Sequence, residues 1–385
     1  MLLKPDLRDW EVEIIIMSEK RNVKYDICKG IACWLVIWGH TIQYCYAGDS
    51  AFYENFVFRF IYGFHMPFFM MISGYLYCVS CQKYELSLVI KKQSIRIAYP
   101  LFIGNGIHFL HKLIFEVRYI NTFSDLLRLI YKTFTGLWFL WSVLIISILV
   151  ALIYYSTATS IKRSAGYIIV FMVLIIVPAK IEPCKTMNVW MYPYFLTGFL
   201  LSEKRDAIHQ LKRGKRDGIK YVLLPLYPLL IPYFHYKDYI YTSGINLLGS
   251  DYGFKVQLLI DVYRWVLGYA GIFFMIVILQ FLFRILYVKH MLSRMFGNLG
   301  QATLQIYIIQ RVLIEEIFGE LCKMILPYGG GVITKNPYLY NFVLTPVVGF
   351  VHLLIICKII KRIKKYDKLN RYLFGEVFEY DKTLE

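Results

Sequence analysis

Residues 26–46, "DICKGIACWLVIWGHTIQYCY", decide the fold class. Beyond Asp26 and Lys29 the stretch is almost entirely apolar and aromatic, and it is long enough to cross a hydrocarbon core about 30 Å thick as a helix. Its outer part carries His40, an ionisable residue. Because a charged side chain at membrane depth costs about 2.5–3.5 kcal/mol on insertion scales, this histidine needs an explanation. The stretch therefore predicts a transmembrane helix whose histidine is either a hydrogen-bonded neutral imidazole or a functional group.

Comparable apolar runs recur along all 385 residues, of which 58% are hydrophobic and 18% aromatic, more than is usual in a soluble domain. We therefore predict an all-α, polytopic membrane bundle of about ten transmembrane helices with no soluble domain. The predicted spans are residues 29–47, 56–79, 97–115, 136–156, 165–179, 188–201, 220–236, 257–283, 297–318 and 339–357.

The net charge of +17 could indicate a nucleic-acid partner, but its distribution argues against one. Of the 43 Lys and Arg residues, 30 fall on one side of the predicted spans and 11 on the other. This asymmetry places both termini in the cytoplasm and indicates a multi-pass protein of the cell inner (plasma) membrane, in contact with its lipids. The seventh span is the weakest because Pro225, Pro228 and Pro232 would kink it.

The predicted organisation is a cytoplasmic lead-in at 1–25, a membrane domain at 26–360 and a basic cytoplasmic tail at 361–385. The lead-in lacks the features of a secretory signal peptide, and translation could start at Met1 or Met17. The tail is basic and amphipathic, which is typical of a segment lying on the inner leaflet.

The eight cysteines are scattered, and only Cys78 and Cys81 form a C-x-x-C pair. A zinc site would need a second pair or suitably spaced histidines, and the sequence shows neither. We therefore expect no metal and a structural or incidental role for the thiols.

A polar stripe runs along the first span. Lys29 precedes His40 by eleven residues, which is three helical turns and about 16 Å along one face. Cys33 and Val36 lie on the same face between them, and Gln43 lies near it. Such a stripe is better suited to the wall of a ligand-filled channel than to a lipid-facing surface.

The second apolar run carries His65, which also falls in the outer half of its span and could meet His40. On the cytoplasmic side, Lys92 and Arg96 precede the third span. They form either an ordinary positive flank or an anchor for a phosphate-bearing ligand. Further polar groups of the outer half are His108, His111, Asp261, Arg264, Arg311, Glu315 and Glu316.

Six motifs in the expected order resemble acyltransferase family 3, the integral-membrane O-acyltransferases that acetylate sugars of surface polysaccharides. They are "YDICKGIACWLVIWGHTIQ" (25–43), "FHMPFFMMISGYLY" (64–77), "IRIAYPLFI" (95–103), "GLWFLWSVL" (136–144), "MYPYFLTGFLLSEK" (191–204) and "FGNLGQATLQIYIIQ" (296–310). The chain departs from the family pattern at Gln93, where many members have arginine, and at Gln310, where many have histidine.

The resemblance implies a transferase that takes an acyl group from cytosolic acyl-CoA, usually acetyl-CoA. The acceptor would be a sugar hydroxyl of an envelope polysaccharide or of its lipid-linked precursor. Expected donor-binding residues are Lys29, Lys92, Arg96 and Trp138.

The expected catalytic residues are two histidines. His40 would be the general base, since imidazole titrates near neutral pH, or less readily an acyl carrier. His65 would stabilise the developing oxyanion. The alternative function is a transporter or flippase of a lipid-linked sugar, which also needs many spans and an internal polar stripe.

Overall fold

The computed structural model describes residues 23–45, 51–116, 121–176, 185–205, 207, 223–234, 253–288, 290–322, 324 and 336–374. Within these ranges the chain is helical and has no β-strand. The α-helices are α1 Val23–Tyr44, α2 Phe56–Tyr62, α3 His65–Lys83, α4 Leu86–Gln93, α5 Tyr99–Glu116, α6 Phe123–Thr135, α7 Trp138–Ser156, α8 Ser160–Ile176, α9 Lys185–Glu203, α10 Leu226–Leu230, α11 Phe254–Val288, α12 His290–Gln301, α13 Thr303–Gln310, α14 Pro337–Leu339, α15 Thr345–Ile363 and α16 Asp367–Phe374. Three π-helical segments, Ser94–Ala98, Arg311–Phe318 and Tyr340–Leu344, and two 3₁₀ segments, Ala51–Glu54 and Ile231–Tyr233, connect or precede these helices.

The prediction of an all-α membrane bundle is confirmed. Four described helical stretches are long and apolar enough to span a bilayer: Phe56–Lys83, Trp138–Ser156, Phe254–Phe283 and Pro337–Ile363. Each of the other predicted spans overlaps a described helix, although the seventh is represented only by α10 and the 3₁₀ turn after it. The number of ten spans and the cytoplasmic termini stay predictions. The first span is not among the four because its polar stripe lowers its mean hydropathy.

Helices α3 and α9 pack backbone against backbone through two glycines. A Cβ at Gly74 would lie 2.0 Å from the carbonyl oxygen of Phe195, and one at Gly198 would lie 1.9 Å from that of Met71. Small residues that admit such an approach are characteristic of packed membrane helices. Two of the six sequence motifs therefore contain a residue that sets a helix–helix distance.

The same arrangement joins α1 to α12. A Cβ at Gly30 would lie 1.9 Å from the carbonyl oxygen of Phe296, and one at Gly300 would lie 1.7 Å from that of Asp26. The packing fixes α1 at the level of Lys29, and it explains why the last motif carries a glycine at position 300.

The second apolar run is broken between α2 and α3, at Gly63 and Phe64. His65 begins α3, and its Nδ1 donates a hydrogen bond of 2.8 Å to the carbonyl oxygen of Ile61 near the end of α2. The same carbonyl accepts from the Phe64 backbone N–H at 3.3 Å, so the imidazole adds a second hydrogen bond at the break. Tyr62 is the last residue of α2 and takes its position from this break.

Helix α6 was not predicted from the sequence. A capping box between Thr122 and Asp125 starts it, and the hydrogen bond from Thr122 lowers the pKa of the exposed Asp125 carboxyl. Its apolar side chains Phe123, Leu127 and Tyr131 are exposed at intervals of four residues. This pattern is typical of a helix lying in a membrane interface.

The predicted tail contains α16, which packs on α5, where the Tyr99 hydroxyl donates to the carbonyl oxygen of Tyr372 at 2.8 Å. The two candidate start residues, Cys184 and most of the predicted loops at 202–220, 237–256 and 319–338 lie outside the described residues.

Candidate active site

A cavity of about 160 Å³ lies at the centre of the bundle, between α1, α3, α7, α13 and the segment before α5. Its wall is mostly apolar and aromatic, with Phe69, Phe139 and Tyr307 among the lining side chains. Along α3 the lining extends from Met66 to Ser80, fourteen residues or about 21 Å of helix. The cavity is thus elongated and suited to a narrow, linear ligand.

One end of the cavity is cationic. Lys29 and Arg96 both line it, and the Lys29 Nζ lies 2.8 Å from Asp26 Oδ1. Gln93 also lines this end and donates to Ser147 Oγ at 3.1 Å. Two cations at the mouth of a narrow cavity can bind an anion such as a phosphate.

Two further residues predicted to bind the donor lie outside the lining. The Lys92 Nζ lies 3.4 Å from the centroid of the half-buried Tyr84 ring, and its hydrogen bond to that residue lowers the pKa of the Tyr84 hydroxyl. Trp138 stands at the start of α7, and its ring packs edge-on against Phe139, which does line the cavity. Lys92 and Trp138 are therefore next to the cavity without forming its wall.

His40 lies one helical turn beyond Val36, the last α1 residue of the cavity wall. The Tyr62 hydroxyl donates to Gln43 Oε1 at 2.9 Å and lies 3.3 Å from His40 Nδ1. A hydroxyl has one hydrogen, so the Tyr62 oxygen accepts from Nδ1–H of His40. This tautomer leaves the lone pair of His40 on Nε2, where it can take a proton.

His65 lies on the other side of Tyr62, with ring centroids 4.6 Å apart, and adjoins the cavity-lining Met66. The structure therefore brings both predicted catalytic histidines to one aromatic residue. Because Nδ1 of His65 donates to Ile61, its Nε2 carries a lone pair while the ring is neutral. In that state His65 can accept a hydrogen bond from a ligand but cannot donate one.

Sequence reasoning missed the roles of Tyr62 and Gln310. Gln310 is 2% exposed and lines the cavity, and its Oε1 has no hydrogen-bond partner in the described part of the chain. A buried polar atom without a partner costs about 1–3 kcal/mol, and a ligand group that donated a hydrogen bond to this oxygen would remove that cost. The only sequence signal was the departure from the family pattern at this position.

A second polar group lies between α5 and the π-helical segment Arg311–Phe318. Glu316 accepts from His108 Nε2 at 2.9 Å and from Lys112 Nζ at 2.7 Å. Arg311 donates to Asn105 Oδ1 at 2.7 Å and to the carbonyl oxygen of Thr133 at 3.1 Å, near the end of α6. The Glu316 contacts pair half-buried charges, and the Arg311 contacts tie the amphipathic α6 to the bundle.

Asp261 and Arg264 are buried on α11, away from the cavity wall. The Arg264 guanidinium lies 4.1 Å from the centroid of Trp190 and 4.8 Å from that of Phe234. Aromatic faces stabilise a cation in this way. Arg264 has the surroundings of a packing residue.

Residues 22–362 match a family model described as an acyltransferase domain. Among curated proteins, the chain is similar to nodulation protein NolL of Mesorhizobium japonicum, with 29% identity over 191 residues, and to nodulation protein NolL of Sinorhizobium fredii, with 28% identity over 187 residues. Each alignment covers 48% of this chain and 49% or 50% of the relative, so the similarity spans about half the length of the curated relatives. No solved structure gives a significant match.

Proposed function

Because the chain belongs to the acyltransferase domain family, matched over residues 22–362, we propose that it is a membrane O-acyltransferase. It takes an acetyl group from cytosolic acetyl-CoA and transfers it to a sugar hydroxyl of an envelope polysaccharide or of its lipid-linked precursor, in the cell inner membrane. The observation that carries the proposal is the cavity, which extends from Lys29 and Arg96 to one helical turn below His40.

The residues of the cavity fit an acyl-CoA donor. Lys29 and Arg96 supply positive charge for the phosphates at one end, with Lys92 adding charge nearby. The narrow apolar wall suits a pantetheine arm, and the Gln310 amide offers a polar contact within it. Trp138 supports this wall through Phe139.

The donor, when bound, supplies the acetyl group as a thioester. His40 receives the proton of the sugar hydroxyl on Nε2, which makes the oxygen nucleophilic toward the thioester carbonyl. Tyr62 holds the imidazole in the required tautomer, and Gln43 fixes Tyr62. The proton then leaves with the thiol, so that His40 is neutral at the end of the cycle.

The contacts of His65 support a positioning role and argue against oxyanion stabilisation. Its hydrogen bond to Ile61 stabilises the break between α2 and α3, which places Tyr62. Stabilisation of an oxyanion by its Nε2 would require the protonated imidazolium, which is costly in a buried site. We therefore propose that His65 acts chiefly by positioning Tyr62 and the ring of His40.

The test uses the purified chain in liposomes with acetyl-CoA labelled in the acetyl group and lipid-linked glycan from the native envelope. Formation of a labelled ester on the glycan, with release of CoA, supports the proposal. Movement of the glycan across the bilayer without ester formation would overturn it in favour of a flippase. Mass spectrometry of surface glycans from cells with and without the gene identifies the acceptor.

A further inference from the structure

Three side chains with metal-binding atoms converge at the end of α1 that carries His40. They are Cys45, Cys322 and His352, and their ligand atoms all lie within 4.8 Å of one another. Cys45 follows α1, Cys322 follows the π-helical segment Arg311–Phe318, and His352 lies in α15. Because the ligands come from three separate segments, no spacing in the sequence indicates them.

The surroundings orient this cluster. Thr41 gives its hydroxyl hydrogen to the carbonyl oxygen of Ile37 at 2.8 Å, and its oxygen lies 3.4 Å from His352 Nδ1. The oxygen therefore accepts from Nδ1–H, which leaves the lone pair of His352 on Nε2. Hydrogen-bonded partners of this kind fix the tautomer of metal-binding histidines.

Phe318 restrains two of the three side chains. Its ring stacks on that of His352 with centroids 4.6 Å apart and an angle of 7° between the planes. Its carbonyl oxygen lies 4.0 Å from Cys45 Sγ. Cys45 and His352 are 3% and 4% exposed, whereas Cys322 is half-buried and is the most accessible of the three ligands.

The chemistry of the ligands selects the ion. Two thiols and an imidazole are the ligand types of tetrahedral zinc sites. With Zn–S near 2.3 Å and Zn–N near 2.0–2.1 Å, the ligand atoms of such a site are about 3.4–3.8 Å apart. Rotation of the half-buried Cys322 side chain can supply the contraction of about 1 Å from the present limit of 4.8 Å.

We propose that Cys45, Cys322 and His352 bind one Zn²⁺ ion and leave its fourth position to water. The ion joins the end of α1 to α15 and to the segment after Phe318. Binding releases the two thiol protons, since thiolates are the ligands. None of the three ligands lines the cavity proposed for the acyl donor.

The test uses the full chain, purified in detergent, reduced and freed of metal with a chelator. Titration with Zn²⁺ against a chromophoric chelator should show one tight site, and Co²⁺ should give a thiolate-to-cobalt charge-transfer band. Cys45→Ser, Cys322→Ser and His352→Asn should each remove the site. Cys357→Ser, on the same helix as His352, should retain it.

Two further measurements keep the proposal falsifiable if a variant fails to fold. In the wild-type chain, Zn²⁺ should slow alkylation of Cys45 and Cys322 by at least about tenfold and leave Cys357 unchanged. Thr41→Val should weaken Zn²⁺ binding by about 10–100-fold, as is typical for partners of the ligands. The proposal is overturned by the absence of stoichiometric binding, by binding that survives the ligand substitutions, or by a Cys45–Cys322 disulfide in metal-free protein as isolated.

Discussion

The Tyr62 oxygen lies 3.3 Å from His40 Nδ1 and gives its only hydrogen to Gln43. This relationship assigns the His40 lone pair to Nε2. It also predicts that substitutions of the two residues affect kcat to different degrees. His40 would take part in the chemistry, whereas Tyr62 would act through it.

His40→Gln should lower kcat by about 10²–10⁴-fold, the contribution typical of a positioned acid–base group. The amide keeps the approximate volume and a polar contact to Tyr62, so the variant should fold and bind CoA as the wild type does. Labelled acetyl transfer and CoA binding are measured on the same preparation. Transfer at the wild-type rate would remove His40 from the mechanism.

Tyr62→Phe should lower kcat by about tenfold with little change in the KM for acetyl-CoA. The variant loses the hydroxyl that contacts both Gln43 and His40, and the contact that orients His40 contributes about 1–1.5 kcal/mol. Tyr131→Phe makes the same chemical change on the exposed face of α6 and should leave both constants unchanged. An effect on KM alone would show instead that Tyr62 belongs to the donor site.

Arg96→Gln should raise the KM for acetyl-CoA by about tenfold with kcat nearly unchanged, because it removes a charge that binds the donor before and during reaction. Lys91→Gln, exposed on the preceding turn, is the matched control. Equal effects in the two variants would indicate general surface electrostatics, which added salt would suppress in both.

Lys29 needs a different design, since Asp26 is 4% exposed and a neutral variant would remove the ammonium that lies 2.8 Å from its carboxylate. Lys29→Arg keeps the charge, whereas Lys29→Met leaves a buried carboxylate and should destabilise the fold by several kcal/mol. We expect Lys29→Arg to retain folding and most donor affinity. A thermal unfolding assay measures the loss of stability, and the KM for acetyl-CoA measures the loss of donor affinity.

Gln310→Leu should stabilise the protein by about 1 kcal/mol while raising the KM for acetyl-CoA several-fold, because it removes a buried oxygen that lacks a partner until ligand binds. Gln93→Leu also alters the cavity wall, yet it breaks the bond to Ser147 and should destabilise the protein. Thermal unfolding of each variant, with and without CoA, measures its stability and its response to the ligand. A destabilised Gln310→Leu variant with normal KM would contradict the assignment.

Gly300→Ala should destabilise the fold by about 1–3 kcal/mol or more, because the added methyl group meets the Asp26 backbone. Gly297→Ala, one turn earlier on α12, has no heavy atom within 4 Å and should be neutral or slightly stabilising. The two variants are compared by their yield after detergent solubilisation and by the midpoint of thermal unfolding. A similar loss of stability in both variants would show that the effect arises within α12 and not at its contact with α1.

The sequence was informative where a feature lies within one helix. The Lys29–His40 stripe follows from helical periodicity alone, and Lys29, Cys33 and Val36 indeed line one cavity. It was uninformative where a feature depends on which helices face one another. Tyr62 lies beside His40 at the break between α2 and α3, and the cluster of Cys45, Cys322 and His352 depends on two helix ends meeting the side of α15. The pattern of a single sequence does not show which helices face one another or at what level.

The interlocked glycines at positions 30 and 300 have a mechanical consequence. With α1 and α12 in backbone contact at Asp26 and Phe296, α1 has no room to slide or turn beside Lys29. Any movement of α1 at this level therefore takes α12 with it. Lys29 and the cavity wall above it keep their position relative to α12.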